Sequence, residues 1–259
     1  MLRVKGILWA ALSSSTFGLA PLFTLLLLGV GYSSFEVLTC RWGVASLCLG
    51  AYGLLAGCDF RLGRRELGTV FLLSLFRAAT SLSLVIAYQN IASGVASTIH
   101  FMYPLVVAVV MMCFFRERGS VWTFAAIGMS IVGAVLLSLG NVDFSRGDTT
   151  LGIVSATVSV VAYGGYIVGV RRSRAVEIDS TVLTCCVMAF GALFFIAGGL
   201  LTGGGRLETD PHTWLYILGV AIPATAVSNM ALVQAIKSIG PTLTSIFGAM
   251  EPLTAVVIG

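Results

Sequence analysis

Apolar runs of about 20 residues recur along almost the whole sequence of 259 residues. A helix of about 20 residues can cross the roughly 30 Å hydrocarbon core of a bilayer, because each residue adds about 1.5 Å. With 58% hydrophobic and 10% charged residues, the composition is that of a polytopic membrane protein. The runs predict nine membrane-spanning helices, at about residues 6–30, 34–57, 67–89, 94–115, 121–140, 151–170, 181–203, 213–235 and 240–259.

The basic residues indicate how these helices are oriented. If the N-terminus is cytoplasmic and successive helices alternate in direction, the inner segments hold 11 of the 15 Lys and Arg residues. The outer loops then hold only Arg146 and Arg206, while Arg41 and Arg77 lie within predicted helices. The positive-inside rule therefore predicts a cytoplasmic N-terminus.

A helical passage with a proline near its middle occurs twice. Residues 87–110 align without gaps with residues 235–258, and the alignment places Pro104 opposite Pro252. Proline cannot complete the helical hydrogen-bond pattern, and paired interrupted helices in two halves of a membrane protein point to a transport site. We therefore expect helix breaks at Pro104 and Pro252, close together near the middle of the membrane.

The repeat includes the first and sixth predicted helices, where FGLAP at 17–21 aligns with YGGYI at 163–167. Each unit contains five helices and, because five is odd, the second unit enters the membrane from the opposite side. The expected fold is an all-α polytopic membrane protein, an inverted repeat of two five-helix units at residues 1–140 and 151–259. We expect the second unit to be C-terminally incomplete, with the tenth helix absent from this chain.

Several motifs together resemble the EamA family of the drug/metabolite transporter superfamily. Arg41 in TCRWGVASLCLG matches an arginine typical of the family's second helix. The opening GILWAALSSSTFGLAPLF, the pair PLVVAVVMMCFFRERGS and WTFAAIGMSIVGAVLLSLG, and GAMEPLTAVVIG resemble its first, fourth and fifth, and ninth helices. The resemblance implies a ten-helix permease, many members being exporters of amino acids and other small metabolites.

Polar and ionisable side chains inside the helices are the candidates for a substrate cavity, because hydrocarbon solvates them poorly. Arg77 and Glu251 each lie about 11 residues into a helix, which predicts one depth near the middle of the membrane. They could pair directly, or through water or a zwitterionic substrate. The substrate-cavity candidates are Arg41, Arg77, His100, Tyr103, Tyr163, Tyr166, Asn229 and Glu251.

These candidates also have simpler interpretations. Arg41 could extend towards the membrane surface, His100 could be an ordinary hydrogen-bonded core residue, and Glu251 could belong to a structural ion pair. The tyrosines could serve packing alone. For the prolines, a packing kink is the alternative.

The predicted function is secondary transport, as an exporter of small organic metabolites such as amino acids, by alternating access between the repeats. The sequence contains no GxSxG, HExxH or Walker motif, so no catalytic residue, cofactor or metal is expected. The expected partners are a small-molecule substrate and the lipid bilayer of the bacterial inner (plasma) membrane, with no nucleic acid. A homodimer is an open alternative to a monomer. A non-transporting scaffold or receptor, or an intramembrane enzyme, is the alternative function.

Overall fold

The computed structural model describes residues 2–117, 119–138, 147–203, 210–251 and 253–254. Within these ranges the chain is helical apart from short connections, and no strand occurs there. The α-helices are α1 Leu2–Phe17, α2 Ala20–Gly29, α3 Ser34–Leu55, α4 Arg64–Asn90, α5 Ser93–His100, α6 Tyr103–Phe115, α7 Val121–Ser138, α8 Thr149–Arg172, α9 Ser180–Leu201, α10 Pro211–Ala221, α11 Ser228–Ile239 and α12 Pro241–Ile246.

Within the described residues the helices follow one another as nine spans, four of which combine two or more helical pieces. The first span joins α1 and α2, the fourth joins α5 and α6, and the eighth joins α10 and α11 through a π-helical turn at Ile222–Val227. In the ninth span, α12 runs into a 3-10 turn at Phe247–Ala249.

Seven spans are long and apolar enough to cross a membrane. Large apolar side chains on their outer faces are exposed, for example Leu55 at 90% and Leu47 at 74%, as lipid contact requires. The predicted all-helical polytopic fold is therefore confirmed. The membrane-length spans are Arg3–Gly29, Ser34–Leu55, Arg64–Asn90, Ser93–Phe115, Thr149–Arg172, Ser180–Leu201 and Pro211–Ile239.

The most extensive helix packing joins the two halves of the chain. It pairs α4 with α8, α3 with α9 and α1 with α11. Helices α1 and α4 belong to the first and third spans, and α8 and α11 belong to the sixth and eighth. The repeat alignment equates the first span with the sixth and the third with the eighth, so it maps the α4–α8 pair onto the α11–α1 pair. The α3–α9 pair maps onto itself. This pairing fits two five-helix repeats related by a two-fold axis, the arrangement of an inverted-repeat fold.

Glycines allow α8 to approach α4 closely. A Cβ atom on Gly169 of α8 would lie 2.7 Å from Leu73 Cδ2 of α4, and one on Gly165 would lie 3.0 Å from Phe76 Cε1. Helices in membranes pack well where glycine lets their backbones come together, because lipid offers no hydrophobic drive for association. The third and sixth spans are thereby held close along the middle of the protein.

The fourth span breaks just before Pro104. Helix α5 ends at His100, and α6 begins at Tyr103 with Pro104 in its first turn. Proline is favoured in a first helical turn, where a backbone N–H would have no helical acceptor. The chain therefore restarts a helix at Pro104 instead of bending through it. Pro252, the other predicted break, lies outside the described residues.

Candidate functional site

Five rings form a buried cluster where the first, fourth and sixth spans meet. The ring of Tyr163 lies 4.6 Å from Tyr103, 5.2 Å from His100, 6.4 Å from Phe17 and 6.5 Å from Tyr166, between ring centroids. All five side chains are buried. We call this group the central ring cluster, and four of its members are among the predicted cavity residues.

Arg77 reaches the cluster from α4 and is 1% exposed. Its Nε donates to Asn229 Oδ1 at 2.8 Å, and its Nη1 donates to Ser81 Oγ at 3.5 Å. Its guanidinium carbon lies 5.0 Å from the Tyr163 ring centroid and 5.3 Å from that of Phe17. Neutral oxygens and aromatic faces, which attract cations, thus surround the arginine.

Arg41 points into the same region from α3, where it is 5% exposed. Its Nε donates to Thr225 Oγ1, whose own hydroxyl proton goes to Val220 O at 2.7 Å. The guanidinium carbon lies 5.7 Å from the Phe17 ring centroid, and the buried Nη2 has no hydrogen-bond partner among the described residues. Arg41 therefore faces the protein interior and does not extend towards the membrane surface.

The π-helical turn of the eighth span and the start of α11 supply one acceptor for each arginine, Thr225 for Arg41 and Asn229 for Arg77. Pro223 stands at the start of this turn, and proline cannot donate the next helical hydrogen bond. The wider turn leaves Thr225 Oγ1 available to Arg41, and Asn229 Nδ2 donates to Thr225 O at 2.7 Å. This hydrogen bond from the side-chain amide orients Asn229 Oδ1 towards Arg77. Such π-helical turns are frequent at functional sites.

Glu251 approaches the cluster from the opposite side, on the ninth span. Its Oε1 accepts a hydrogen bond from the Tyr103 hydroxyl at 3.3 Å. The two residues are 148 positions apart, the offset of the repeat alignment, so equivalent positions of the two repeats meet here. A Cβ atom on Gly18 would lie 2.6 Å from the carbonyl oxygen of Glu251. Gly18 therefore lets the first span touch the backbone of the ninth.

His100 is held in one tautomer. The Ser159 hydroxyl donates to Ala156 O at 2.6 Å, so its oxygen accepts from His100 Nδ1 at 2.8 Å. The proton consequently sits on Nδ1, and the buried Nε2 keeps a lone pair that has no partner in the part of the chain that the structure describes. His100 and Glu251 line one cavity of about 30 Å³, roughly the space of one water molecule.

A second, smaller cavity adjoins the first. Arg41 and Arg77 line it, and its volume is about 10 Å³. Phe17, Leu84 and Tyr88 line both cavities and therefore separate them. The structure thus brings the predicted residues together around two small spaces, one lined by guanidinium groups and the other by a carboxylate and an imidazole.

Arg77 and Glu251 do not pair directly. Within the described part of the chain, neither Arg41 nor Arg77 has a carboxylate oxygen within 4.0 Å, and Arg77 donates to Asn229 and Ser81. Successive contacts through the rings of Tyr163 and Tyr103 connect the guanidinium of Arg77 with the carboxylate of Glu251. Of the arrangements predicted for this pair, the direct ion pair is therefore wrong for this structure.

A larger depression of about 540 Å³ lies elsewhere, at the ends of α3, α4 and α9. It is open to the surface. Its one lining carboxylate, Glu36, already accepts from the backbone N–H of Ser33 at 2.9 Å in the N-terminal cap of α3. Because it holds no buried charge, this depression is a poorer candidate for substrate recognition than the central cavities.

Sequence reasoning missed four neighbours of the arginines and the histidine: Phe17, Ser81, Ser159 and Thr225. The repeat alignments indicate three of them, two through a longer alignment and Phe17 through that of FGLAP with YGGYI. Continued upstream without gaps, residues 77–86 align with 225–234, with identical residues at Ala78/Ala226, Leu84/Leu232 and Val85/Val233. That alignment equates Arg77 with Thr225 and Ser81 with Asn229, while Phe17 is the counterpart of Tyr163. No comparable signal marks Ser159.

Comparison with known proteins identifies the family. A solved structure described only as the crystal structure of a protein superposes with a TM-score of 0.80 at 16% identity, covering 99% of this chain and 86% of the other. At that identity it supports the fold alone. No curated protein matches the chain. The sequence model of the EamA-like transporter family matches residues 4–139 and 150–259, nearly the whole length. The chain therefore belongs to the EamA-like transporter family.

Proposed function

We propose that this protein is a secondary transporter that exports small organic metabolites such as amino acids. In this proposal it lies in the plasma membrane, the inner membrane of a bacterium, with a cytoplasmic N-terminus. The two units, residues 1–140 and 151–259, move against each other to give alternating access. The observation that carries the proposal is the meeting of both repeats around buried charges that lack an ionic partner in the described chain.

Buried charges of this kind are costly unless a ligand uses them. Arg77 is 1% exposed and Arg41 is 5% exposed, yet among the described residues both bond only to neutral groups. Ionisable groups within a membrane are typically reserved for substrate or ion pathways. A solute with an acid group at the arginines and a donor group at Glu251 would satisfy both sides of the cluster.

The cavities also indicate that a conformational change must accompany binding. At about 30 Å³ and 10 Å³, they can hold water but no organic solute. Phe17, Leu84 and Tyr88, which separate them, come from the first and third spans. Phe17 also stacks on Tyr163 of the other repeat, with an interplanar angle of 13°. Movement of one repeat away from the other would part this stack and join the cavities.

Flux through liposomes containing the purified full chain tests the proposal. We expect saturable uptake or counterflow of at least one labelled amino acid or organic acid, and a fall to the protein-free background in Arg77→Met and Glu251→Gln. Lys5→Gln is the control, because Lys5 is an exposed cation outside the cluster. Absence of saturable flux across both solute classes would contradict transport and favour a scaffold or receptor. Wild-type flux in both cluster variants would contradict the assignment of Arg77 and Glu251 to the substrate site.

A further inference from the structure

We infer that Arg41 and Arg77 together form one acid-group subsite, and that the transported solute carries a net negative charge. The inference rests on the proposed function and narrows its substrate class. Both guanidinium groups lie within 6 Å of the centroid of one ring, that of Phe17, and both line one cavity. Two arginines from different helices therefore converge on one small space.

Both arginines retain donor capacity for a ligand. A guanidinium carries five N–H donors. Arg41 uses its Nε on Thr225, while its buried Nη2 has no partner. Arg77 uses its Nε on Asn229, and its Nη1 contact with Ser81 is long, at 3.5 Å. Carboxylate oxygens suit such donors, because charge-assisted bonds to guanidinium are shorter and stronger than neutral ones.

The balance of charge around the ring cluster favours an anion. Two cations face it, and Glu251 supplies the one carboxylate among the described residues that line the two cavities. The cluster is thus net positive whether or not Glu251 holds a proton. A zwitterion adds equal charges of both signs and leaves that excess in place, whereas a solute of net charge −1 or −2 compensates for it. Uncompensated charge is disfavoured in a buried, low-dielectric site.

The other end of the solute meets acceptors. His100 Nε2 has a free lone pair, and the Glu251 carboxylate accepts a hydrogen bond from Tyr103. Both side chains line the neighbouring cavity. A hydroxyl or amino group fits that end, so the expected class is a small organic acid that also carries a hydrogen-bond donor. Glutamate is a probe of this class, with glutamine as its neutral counterpart of the same shape.

The experiment compares two matched pairs of solutes on the purified full chain. Glutamate is compared with glutamine, and phenyllactate, whose hydroxyl is a hydrogen-bond donor, with phenylalanine, by thermal shift and by competition for flux in liposomes. We expect at least one anion to bind at least tenfold more tightly than its zwitterionic partner. Equal or tighter binding of the zwitterions overturns the acid-group subsite while leaving transport intact. Binding by neither anion overturns it too, whereas loss of all saturable flux would be a failure of the proposed function.

Substitutions separate the subsite from general effects on folding. Arg41→Gln should lower the ratio of anion to zwitterion affinity towards one, and Arg41→Lys should keep part of the preference, because a charge without the planar fork remains. Arg172→Gln is the matched control: Arg172 also stacks on a ring, that of Phe115 at 4.6 Å, but at the end of α8. Should Arg41→Gln fail to fold, the Lys variant carries the test. An unchanged ratio in both Arg41 variants excludes Arg41 from the subsite.

Discussion

The first and sixth spans occupy equivalent places in the two repeats, yet only the first is interrupted. Helix α1 ends at Phe17 and α2 begins at Ala20, whereas α8 runs without a break from Thr149 to Arg172. The alignment gives the cause, since Pro21 in the first span corresponds to Ile167 in the sixth. The duplicated span is thus an interrupted helix in one repeat and a continuous helix in the other.

The third and eighth spans differ in a complementary way. Helix α4 is continuous and carries Arg77, while the eighth span has a π-helical turn with Thr225 at the equivalent position. Ser81 and Asn229, which are also equivalent, both accept hydrogen bonds from Arg77. The first repeat therefore provides the cations of the site and one weak acceptor, Ser81, and the second provides the closer acceptors and the carboxylate. The fold is duplicated, but each copy contributes a different part of the chemistry.

The largest expected effect comes from giving α8 the proline of its counterpart. Ile167 is fully buried in the middle of α8, so Ile167→Pro removes a helical hydrogen bond and should lower the free energy of unfolding by about 3 kcal/mol or more. Ile167→Val, expected to cost about 0.5–1.5 kcal/mol, controls for lost packing. Thermal unfolding in detergent provides the measurement. Equal stability of the two variants would mean that α8 need not be continuous.

The pair of residues that hold Arg77 should respond unequally. Asn229→Ala leaves the buried Nε of Arg77 without its 2.8 Å bond, and we expect a loss of about 1.5–3 kcal/mol, because the donor is charged. Ser81→Ala removes only a 3.5 Å contact and should cost less than about 0.5 kcal/mol. Unfolding curves and the KM for the transported solute report both effects. Equal losses in the free energy of unfolding would show that Ser81 and Asn229 contribute equally to holding Arg77.

Gly18 and Gly164 are equivalent glycines with different surroundings. A Cβ atom on Gly18 would lie 2.6 Å from the Glu251 carbonyl oxygen, whereas one on Gly164 would lie 3.0 Å from Val106 Cγ1. Backbone cannot yield as a side chain can, so Gly18→Ala should cost about 1–3 kcal/mol and Gly164→Ala clearly less.

Gly43→Ala is the control for this pair, because a Cβ there meets nothing within 4 Å. It should leave the midpoint of thermal unfolding unchanged or raise it slightly, since alanine is the better helix former. If Gly164→Ala lowered the midpoint of thermal unfolding more than Gly18→Ala, the first span would not depend on its close contact with the ninth.

Sequence patterns predicted the spans well and the site only in part. The length of an apolar run predicts the length of a membrane-spanning helix, and the repeat alignment indicates which helices are equivalent. Depth along a helix predicted one level in the membrane for Arg77 and Glu251, and each contacts a tyrosine of the central ring cluster, but depth does not reveal which side chains connect them. Tyr103 and Tyr163 make that connection, and the direct ion pair does not form.

Two further features depend on contacts that a single helix cannot report. Pro223 marks an irregularity in the eighth span, but a proline alone does not distinguish a kink from a π-helical turn. The tautomer of His100 follows from Ser159, whose hydroxyl is committed to Ala156 O. Only the packing of the fourth span against the sixth brings that serine to the histidine.

The smallest expected effect lies at the start of the third and eighth spans, outside the hydrocarbon core. The N-terminal cap of the eighth span is Asp210, which accepts from the Thr213 backbone N–H at 3.0 Å and from its hydroxyl at 2.9 Å. The third span begins after Gly63, which has no side chain to act as a cap. Asp210→Gly removes the side-chain cap of the eighth span, so that this span begins after a glycine, as the third span does.

These hydrogen bonds to Thr213 lower the pKa of Asp210 below its ordinary value. Because the folded-state pKa is the lower one, the stabilisation is present above the unfolded-state pKa, near 4, and disappears as the pH falls through the folded-state pKa. Asp210→Gly should therefore lower the midpoint of thermal unfolding slightly at pH 7, and the difference from the wild type should shrink below about pH 4. Unfolding followed at pH 7, 5 and 3 measures this. A difference that grows on acidification would show that the aspartate cap acts by something other than its charge.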